Sequence, residues 1–392
     1  MNEWKGYPRP DGSFGARNYV GVLPSVACAN SVAKKIAENV KGAIPLIHNT
    51  GCALTGKDAV KRTVDTLVGL GLNPNVHSLL IVGLGCETIQ SDKLADKISR
   101  SGKEVYNIII QDQGTLKTIE KGIRIVKKLI QEASVQTRQS TDISTLIIGT
   151  ECGGSDWSSG IISNPILGYA ADIIVNNGGT VILSETTEFF GAEHLLIKRA
   201  FSSEVKNKIL EIIRRYEQDI INSGGDIYYS NPSYGNIQGG ITTIEEKALG
   251  AILKGGTSKI MQVVEYGEKP SKKGLIIMDT PGYDIISITG MAAGGAQVIV
   301  FTTGRGNHIG FPIVPVIKIT GNPLTYEKMM DDIDIYVGEK IIRRGVSATN
   351  KELRDEGKKL VSEILEVASG KKVKSEIYGY NELQIWRRGI DL

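Results

Sequence analysis

The chain has 392 residues, of which 41% are hydrophobic, 23% charged and 6% aromatic, and its formal net charge is +3. That length allows two or three domains with ample core, and the composition is that of an ordinary globular protein. No basic block interleaves with aromatics, the N-terminus Met1-Asn2-Glu3-Trp4-Lys5 lacks an apolar signal core, and runs such as 313–317 are too short for a bilayer, which argues against nucleic-acid, exported and membrane roles.

Four widely spaced cysteines do not make a disulfide framework, so they read as reduced thiols in a cytoplasmic protein. The first part of the chain alternates short apolar runs with helical periodicity. Strands are predicted at 19–23, 43–47, 78–82 and 105–110, and helices at 31–40, 57–70, 91–99 and 116–133. Such alternation predicts a parallel, helix-covered sheet of the Rossmann-like α/β class. The polar stretch 134–144 marks a boundary, giving a first domain at 1–140. A second α/β block, 141–268, has strands at 145–149 and 180–183 and helices at 165–175, 204–222 and 244–254. Its loop 223–240 reads as irregular. A third, 269–392, has strands at 274–278, 297–301 and 314–319 and a mostly helical tail. The fold class is thus multi-domain α/β.

Ligands of open α/β sheets bind beyond the carboxyl ends of the strands. Three glycine-flanked cysteines fall at such ends: Cys52 after Gly51, Cys86 after Gly85, and Cys152 before Gly153-Gly154. His48 precedes Cys52 by four residues, and Glu87 follows Cys86. Thiolate and neutral imidazole are good ligands for iron or zinc, although a buried structural thiol beside a satisfied histidine is the plain alternative. Gly83-Leu84-Gly85 lacks the third glycine of a dinucleotide fingerprint, so a nicotinamide site is poorly supported. In Glu151-Cys152-Gly153-Gly154-Ser155-Asp156, the two glycines permit close backbone approach to a ligand. Ser184-Glu185-Thr186-Thr187-Glu188, with Glu193-His194, offers carboxylates and a histidine for a cation or a proton. Thr303-Gly304-Arg305-Gly306 carries an arginine suited to clamping a carboxylate. Lys318 sits on an apolar strand, as an edge or a site residue.

These strings in order, from Gly12-Ser13-Phe14-Gly15-Ala16-Arg17-Asn18-Tyr19 through Gly51-Cys52, Gly85-Cys86-Glu87, Cys152-Gly153-Gly154-Ser155-Asp156, Ser184-Glu185, Glu246-Lys247-Ala248-Leu249-Gly250 and Phe301-Thr302-Thr303-Gly304-Arg305-Gly306, resemble the altronate/galactarate dehydratase family over nearly the whole chain. The large subunit of sulfolactate sulfo-lyase belongs to the same family. The resemblance implies a lyase that dehydrates a sugar acid to a 2-keto-3-deoxy acid with iron or another divalent metal. It also implies a separate small subunit of the SAF type, because single-chain members carry that domain ahead of this region. A homo-oligomer is expected as well. Candidate catalytic residues are His48, Glu87, His194 and Arg305. Candidate substrate-binding residues are Arg17, Asn18, Gly153, Gly154, Ser155, Asp156, Thr303, Gly304 and Arg305. Candidate metal ligands are Cys52, Cys86, Cys152, His48 and Glu185. They would hold Fe²⁺ or Mn²⁺, or Cys52, Cys86 and Cys152 would hold an iron–sulfur cluster. A sugar-acid-binding relative without catalysis is the reading from another class.

Overall fold

The computed structural model describes residues 3–227, 231–343 and 350–387. Strands β1 (Glu3–Pro8) and β2 (Phe14–Gly15) open the chain. They form a small antiparallel sheet with β7 (Gln139–Asp142), in the order β2-β1-β7. The polar stretch read as a plain boundary therefore contains an edge strand that ties the two ends of the first domain together.

Strands β3 (Tyr19–Pro24), β4 (Ala43–Pro45), β5 (Val76–Gly83) and β6 (Val105–Ile109) form a four-stranded parallel sheet, in the order β4-β3-β5-β6. Most of β5 is buried, as its near-continuous apolar run requires of a helix-covered parallel strand. Helix Thr115–Ser134 buries Thr118, Gly122, Val126, Leu129 and Ala133, one stripe at three- and four-residue spacing. Helix Ser91–Ser99 lies where periodicity placed it.

The remaining strands are β8 (Ile147–Cys152), β9 (Thr180–Leu183), β10 (Ile260–Val264), β11 (Gly274–Met278), β12 (Val298–Thr302), β13 (Val316–Thr320) and β14 (Ile335–Tyr336). They make one seven-stranded parallel sheet, ordered β10-β11-β9-β8-β12-β13-β14. Strands of the second and third sequence blocks thus share a single sheet, and the division at 268/269 separates no layer. Strand β10 escapes the sequence pattern because its burial does not alternate, only Ile260 and Val264 being buried, and β14 because it has only two residues. Helix Asp284–Ala293 was also not expected; it is buried nearly all round and has no polar face to reveal its period. Loop 223–240, read as irregular, contains a short helix, Tyr234–Gln238, and its residues 228–230 lie outside the described residues.

One apolar cluster joins the two large sheets: Leu23, Leu79 and Ile81 of the first meet Ile182, Ile276, Ile299 and Phe301 of the second. Asn73 and Asn75 stitch the same seam, donating to Ala292 O at 2.7 Å and to Ile313 O at 2.8 Å. Among the described residues, no helix is long and apolar enough to cross a membrane.

Candidate active site

The chain leaves β8 toward β9 on one side and returns through β12 on the other, so the strand order reverses beside β8. A crevice beyond the carboxyl ends is the expected ligand position at such a reversal. The loops after β8, β9 and β11 converge there on a cavity of about 590 Å³ lined by Cys152, Glu188, Asn236, Lys247 and Asp284, among others.

Three carboxyls converge beside it: Asp284, the first residue of helix Asp284–Ala293, lines the cavity, and Glu151 at the end of β8 and Glu185 just after β9 are buried behind it. Ligand oxygens of Glu151, Glu185 and Asp284 all lie within 4.8 Å of one another. Glu151 and Glu185 are fully buried. Glu151 Oε2 accepts from Ser287 Oγ at 2.7 Å and from Ser184 Oγ at 3.1 Å. Glu185 Oε2 accepts from Cys152 N at 3.1 Å and from the buried Lys254 ammonium. Glu151 Oε1 and Glu185 Oε1 have no donor. Two buried carboxyls so placed must share a proton or face a cation, since bare carboxylates repel and an unpaired buried charge is costly. Glu185 also holds φ = +68°, a left-handed conformation that a glutamate adopts only under constraint from its surroundings.

The electrostatics follow from burial and crowding. Burial, then the charges of Glu185 and Asp284, push the Glu151 carboxyl well up. Burial, then Glu185 and Glu188, push Asp284 up to about 7. Burial also raises Glu185, although Lys254 opposes it, and raises the Cys152 thiol, which stays protonated. Burial alone would lower the Lys254 ammonium, but at the high pH where it would titrate the ionised Cys152, Glu185 and Glu188 outweigh burial and raise it. Lys247 is raised in the same way by Glu188, 2.7 Å away. Glu188 Oε2 is buried without a donor. Four carboxyls therefore face two ammoniums, a surplus of negative charge that protons or a divalent cation would offset.

The predicted residues divide between this site and other duties. Cys152, Gly153, Gly154 and Ser155 line the cavity, with Ser155 Oγ 2.7 Å from Cys152 Sγ, and Glu185 is buried behind Cys152, accepting from its N. Arg305 is exposed at the rim, its N bonded to Gly154 O at 2.8 Å and its Nη1 to Gly235 O at 3.1 Å. Asp156 is buried and spent on local structure, accepting from Ser158 N, Ser158 Oγ and Asn322 Nδ2. Gly304 is packed under it: a Cβ there would lie 2.1 Å from the Asp156 carboxyl. Thr303 Oγ1 accepts from Gly306 N, shaping the Arg305 turn.

His48 is not positioned as a ligand or a base. Its Nε2 bonds Pro24 O at 2.7 Å and its Nδ1 accepts from Thr50 N at 3.3 Å, so both ring nitrogens are engaged by backbone. Burial lowers its pKa to about 4. Glu87 is buried and braces the Cys86 loop, accepting from Ser25 Oγ at 2.6 Å, Leu84 N and Gly85 N. Arg17 and Asn18 lie away from the cavity. The Arg17 guanidinium binds both Glu376 oxygens, at 2.7 and 2.8 Å, and three carbonyls, while Asn18 joins Arg9 to Ala133 O. His194 is exposed on the short helix Glu193–Lys198 and does not line the cavity. Cys52 and Cys86 belong to the four-stranded sheet, and neither lines the cavity beside Cys152. Lys318 is fully buried and pins the loop after β12 through the His308 and Ile309 carbonyls.

Glu151, Asp284, Lys247, Lys254 and Asn236 were missed as site residues. Position at a strand end would have found Glu151; Asp284 begins a helix six residues after β11, and only folding brings it to Glu151. Lys254 ends a helix with no local signal, and only folding sets it against Glu185. A larger groove of about 1240 Å³ runs along helix Lys57–Leu72 but shares no lining residue with the cavity.

Residues 6–134 match the family described as D-galactarate dehydratase/altronate hydrolase, second domain, and residues 143–391 match D-galactarate/altronate dehydratase, C-terminal. The chain belongs to the D-galactarate/altronate dehydratase family. It is an enzyme of the hydro-lyase type. It is 37% identical to the galactarate dehydratase (L-threo-forming) of Escherichia coli K12, covering 98% of this chain and 76% of that one. It is 33% identical to the altronate dehydratase of Bacillus subtilis, over 99% and 78%. It is 36% identical to the (2R)-sulfolactate sulfo-lyase subunit beta of Chromohalobacter salexigens, over 97% and 96%.

Proposed function

We propose that this chain dehydrates a sugar acid such as galactarate or altronate to a 2-keto-3-deoxy acid in the Cys152–Glu188–Asp284 cavity, with a divalent cation held by Glu151, Glu185 and Asp284. The observation that carries the reading is the pair of donorless buried oxygens, Glu151 Oε1 and Glu185 Oε1, on two carboxyls that converge with Asp284. An all-oxygen donor set suits a hard or borderline ion such as Mn²⁺ or Fe²⁺. When bound, such an ion would stabilise negative charge on the substrate as the proton beside its carboxylate leaves.

The chain's own groups supply the rest. Lys247, on the cavity wall, offers an ammonium to a substrate carboxylate. Glu188 Oε1 is held by Lys247, which leaves Oε2 aimed to accept the proton. Ser155 and the neutral Cys152 thiol present polar atoms to the substrate hydroxyls, while Asn236 holds the Ser155 carbonyl in place. Arg305 extends the positive rim where the far end of a long sugar acid would emerge.

The test pairs a metal measurement with a product assay. Wild-type chain should take up one Mn²⁺ or Fe²⁺ at this site and form a 2-keto-3-deoxy acid from galactarate or altronate. Glu151→Gln should lose most of that affinity and at least about 100-fold in kcat/KM, the scale of losing a metal or its orienting partner. Its circular dichroism should stay native. Unchanged metal uptake by the variant would sink the carboxylate site.

The near-complete coverage of the sulfo-lyase subunit beta favours one second reading. In it the same cavity expels sulfite from sulfolactate, and a separate small subunit completes the enzyme. Sulfite release from sulfolactate, with and without a co-expressed small chain, decides between the two leaving groups.

A further inference from the structure

The sequence motifs left Cys52 and Cys86 without a function in the cavity, and they passed over Cys28. The structure places all three thiols on one edge. Cys28 lies in the turn Ala27–Ala29 after β3, Cys52 in the loop after β4, and Cys86 in the loop after β5. These strands are neighbours in the order β4-β3-β5, and the chain goes from β3 to β4 on one side before returning to β5 on the other. The three cysteines therefore surround the strand-order reversal of the four-stranded sheet, where such sheets take their ligands. All three are free and exposed, while Cys152 is buried on the other sheet.

The loops that carry them are locked to one another. Ala27 N donates to Thr50 O at 2.8 Å, Ile89 N to Gly51 O at 3.0 Å, and Ala53 N to Thr88 Oγ1 at 3.1 Å. Gly51 and Gly85, each directly before a cysteine, hold φ of +115° and +126°. A Cβ on Gly51 would lie 2.3 Å from Ser25 O. Ala53, directly after Cys52, has φ of +56°; it and Glu185 are the two non-glycine residues with positive φ among those described. Buried Thr50 Oγ1 has no partner, and Gln111 Nε2 points at Cys86 Sγ from 3.4 Å, the sort of amide contact that supports a ligating sulfur.

The geometry points to an iron–sulfur cluster held by Cys28, Cys52 and Cys86, separate from the carboxylate site and with one iron lacking a cysteine ligand. Thiolates of a cluster bind different irons, whereas those of a single ion converge on one centre about 2.3 Å away. The three sulfurs do not all fall within 4.8 Å of one another, since the only such ligand group among the described residues is Glu151–Glu185–Asp284. The three thiols are therefore not gathered around a single ion, whose ligating sulfurs would lie closer than that to one another. Cys28 replaces Cys152 in the set expected from sequence.

The experiment is anaerobic isolation of the full chain, with iron, zinc, acid-labile sulfide, the visible spectrum and the electron paramagnetic resonance of the reduced form. About four irons and four sulfides per chain are expected at full loading. Cys28→Ser, Cys52→Ser and Cys86→Ser should each lose the colour and the sulfide, while Cys152→Ser and Glu151→Gln keep both. Glu151→Gln thus separates failure of this site from failure of the carboxylate site. Alkylation of the wild type should spare the three thiols until the cluster is removed, a readout that needs no folded variant. Zinc without sulfide, or a Cys28→Ser protein with full sulfide, would overturn the assignment.

Discussion

At the scale of single residues, burial decides what each titratable group does. His48 is the clearest case. Its unfolded pKa is near the ordinary 6.5, and burial lowers the folded value to about 4. The unfolded chain therefore binds a proton in this window that the folded chain does not. The neutral ring contributes fully above about pH 6.5, and that stability is lost as pH falls toward 4. The shift corresponds to about 3 kcal/mol. Urea midpoints of wild type should fall across this window, while His48→Gln should be less stable at neutral pH and show a shallower slope. Parallel slopes for the two proteins would remove His48 from the account. The same residue shows why a His-x-x-x-Cys spacing misleads: nothing in the spacing reveals that both ring nitrogens face backbone. In Glu151, Glu185 and Asp284, burial does the opposite service, raising carboxyl pKa values until protons or a cation must balance the site.

At the scale of elements, the active site depends on how one helix seats the segment that carries Lys254. Helix Asn164–Asn176 starts with Pro165 in its first turn and buries Ile166, Leu167, Ala170, Ala171 and Ile174. Gly168 lies against the 3₁₀ turn Ile252–Gly255, and a Cβ there would come within 2.1 Å of Leu253 O. A backbone carbonyl cannot swing away, so the turn must shift. Gly168→Ala is expected to cost about 1–3 kcal/mol. It should also move Lys254 off Glu185 and weaken metal uptake. A variant with wild-type melting temperature and metal affinity would show that the turn has slack. Most such elements were legible from periodicity, as in helix Ser91–Ser99 and strands β9 and β11. The exceptions have physical causes. Helix Asp284–Ala293 has no solvated face, and β14 is too short to show alternation.

At the scale of the whole molecule, the two large sheets are coupled through a shared apolar cluster and through side chains that cross the seam. Helix Lys57–Leu72 approaches helix Asp284–Ala293 so closely that a Cβ on Gly69 would lie 2.5 Å from Ala293 O. Arg17, from the first domain, anchors the C-terminal segment through Glu376, Val367 O and Lys371 O. Unfolding is therefore expected to be cooperative across both sheets. The tryptophans, Trp4, Trp157 and Trp386, all lie outside the four-stranded sheet, whereas far-ultraviolet circular dichroism reports on both. Thermal transitions by tryptophan fluorescence and by circular dichroism should coincide. A separate early loss of dichroism would mean that the four-stranded domain unfolds alone.

Period, turn residues and strand-end chemistry are local properties, so the α/β class, most elements and the loops carrying Cys52, Cys86, Cys152 and Glu185 could be read directly from the order of residues. Which of those loops meet is not local. Glu151, Glu185 and Asp284 come together because β8, β9 and β11 are neighbours in a sheet whose order departs from chain order. Cys28 joins Cys52 and Cys86 on one edge, and leaves Cys152 on another, for the same reason. Adjacency in a parallel sheet is set by crossovers and by the packing of helices on its faces, and burial then sets the charge of whatever has been brought together.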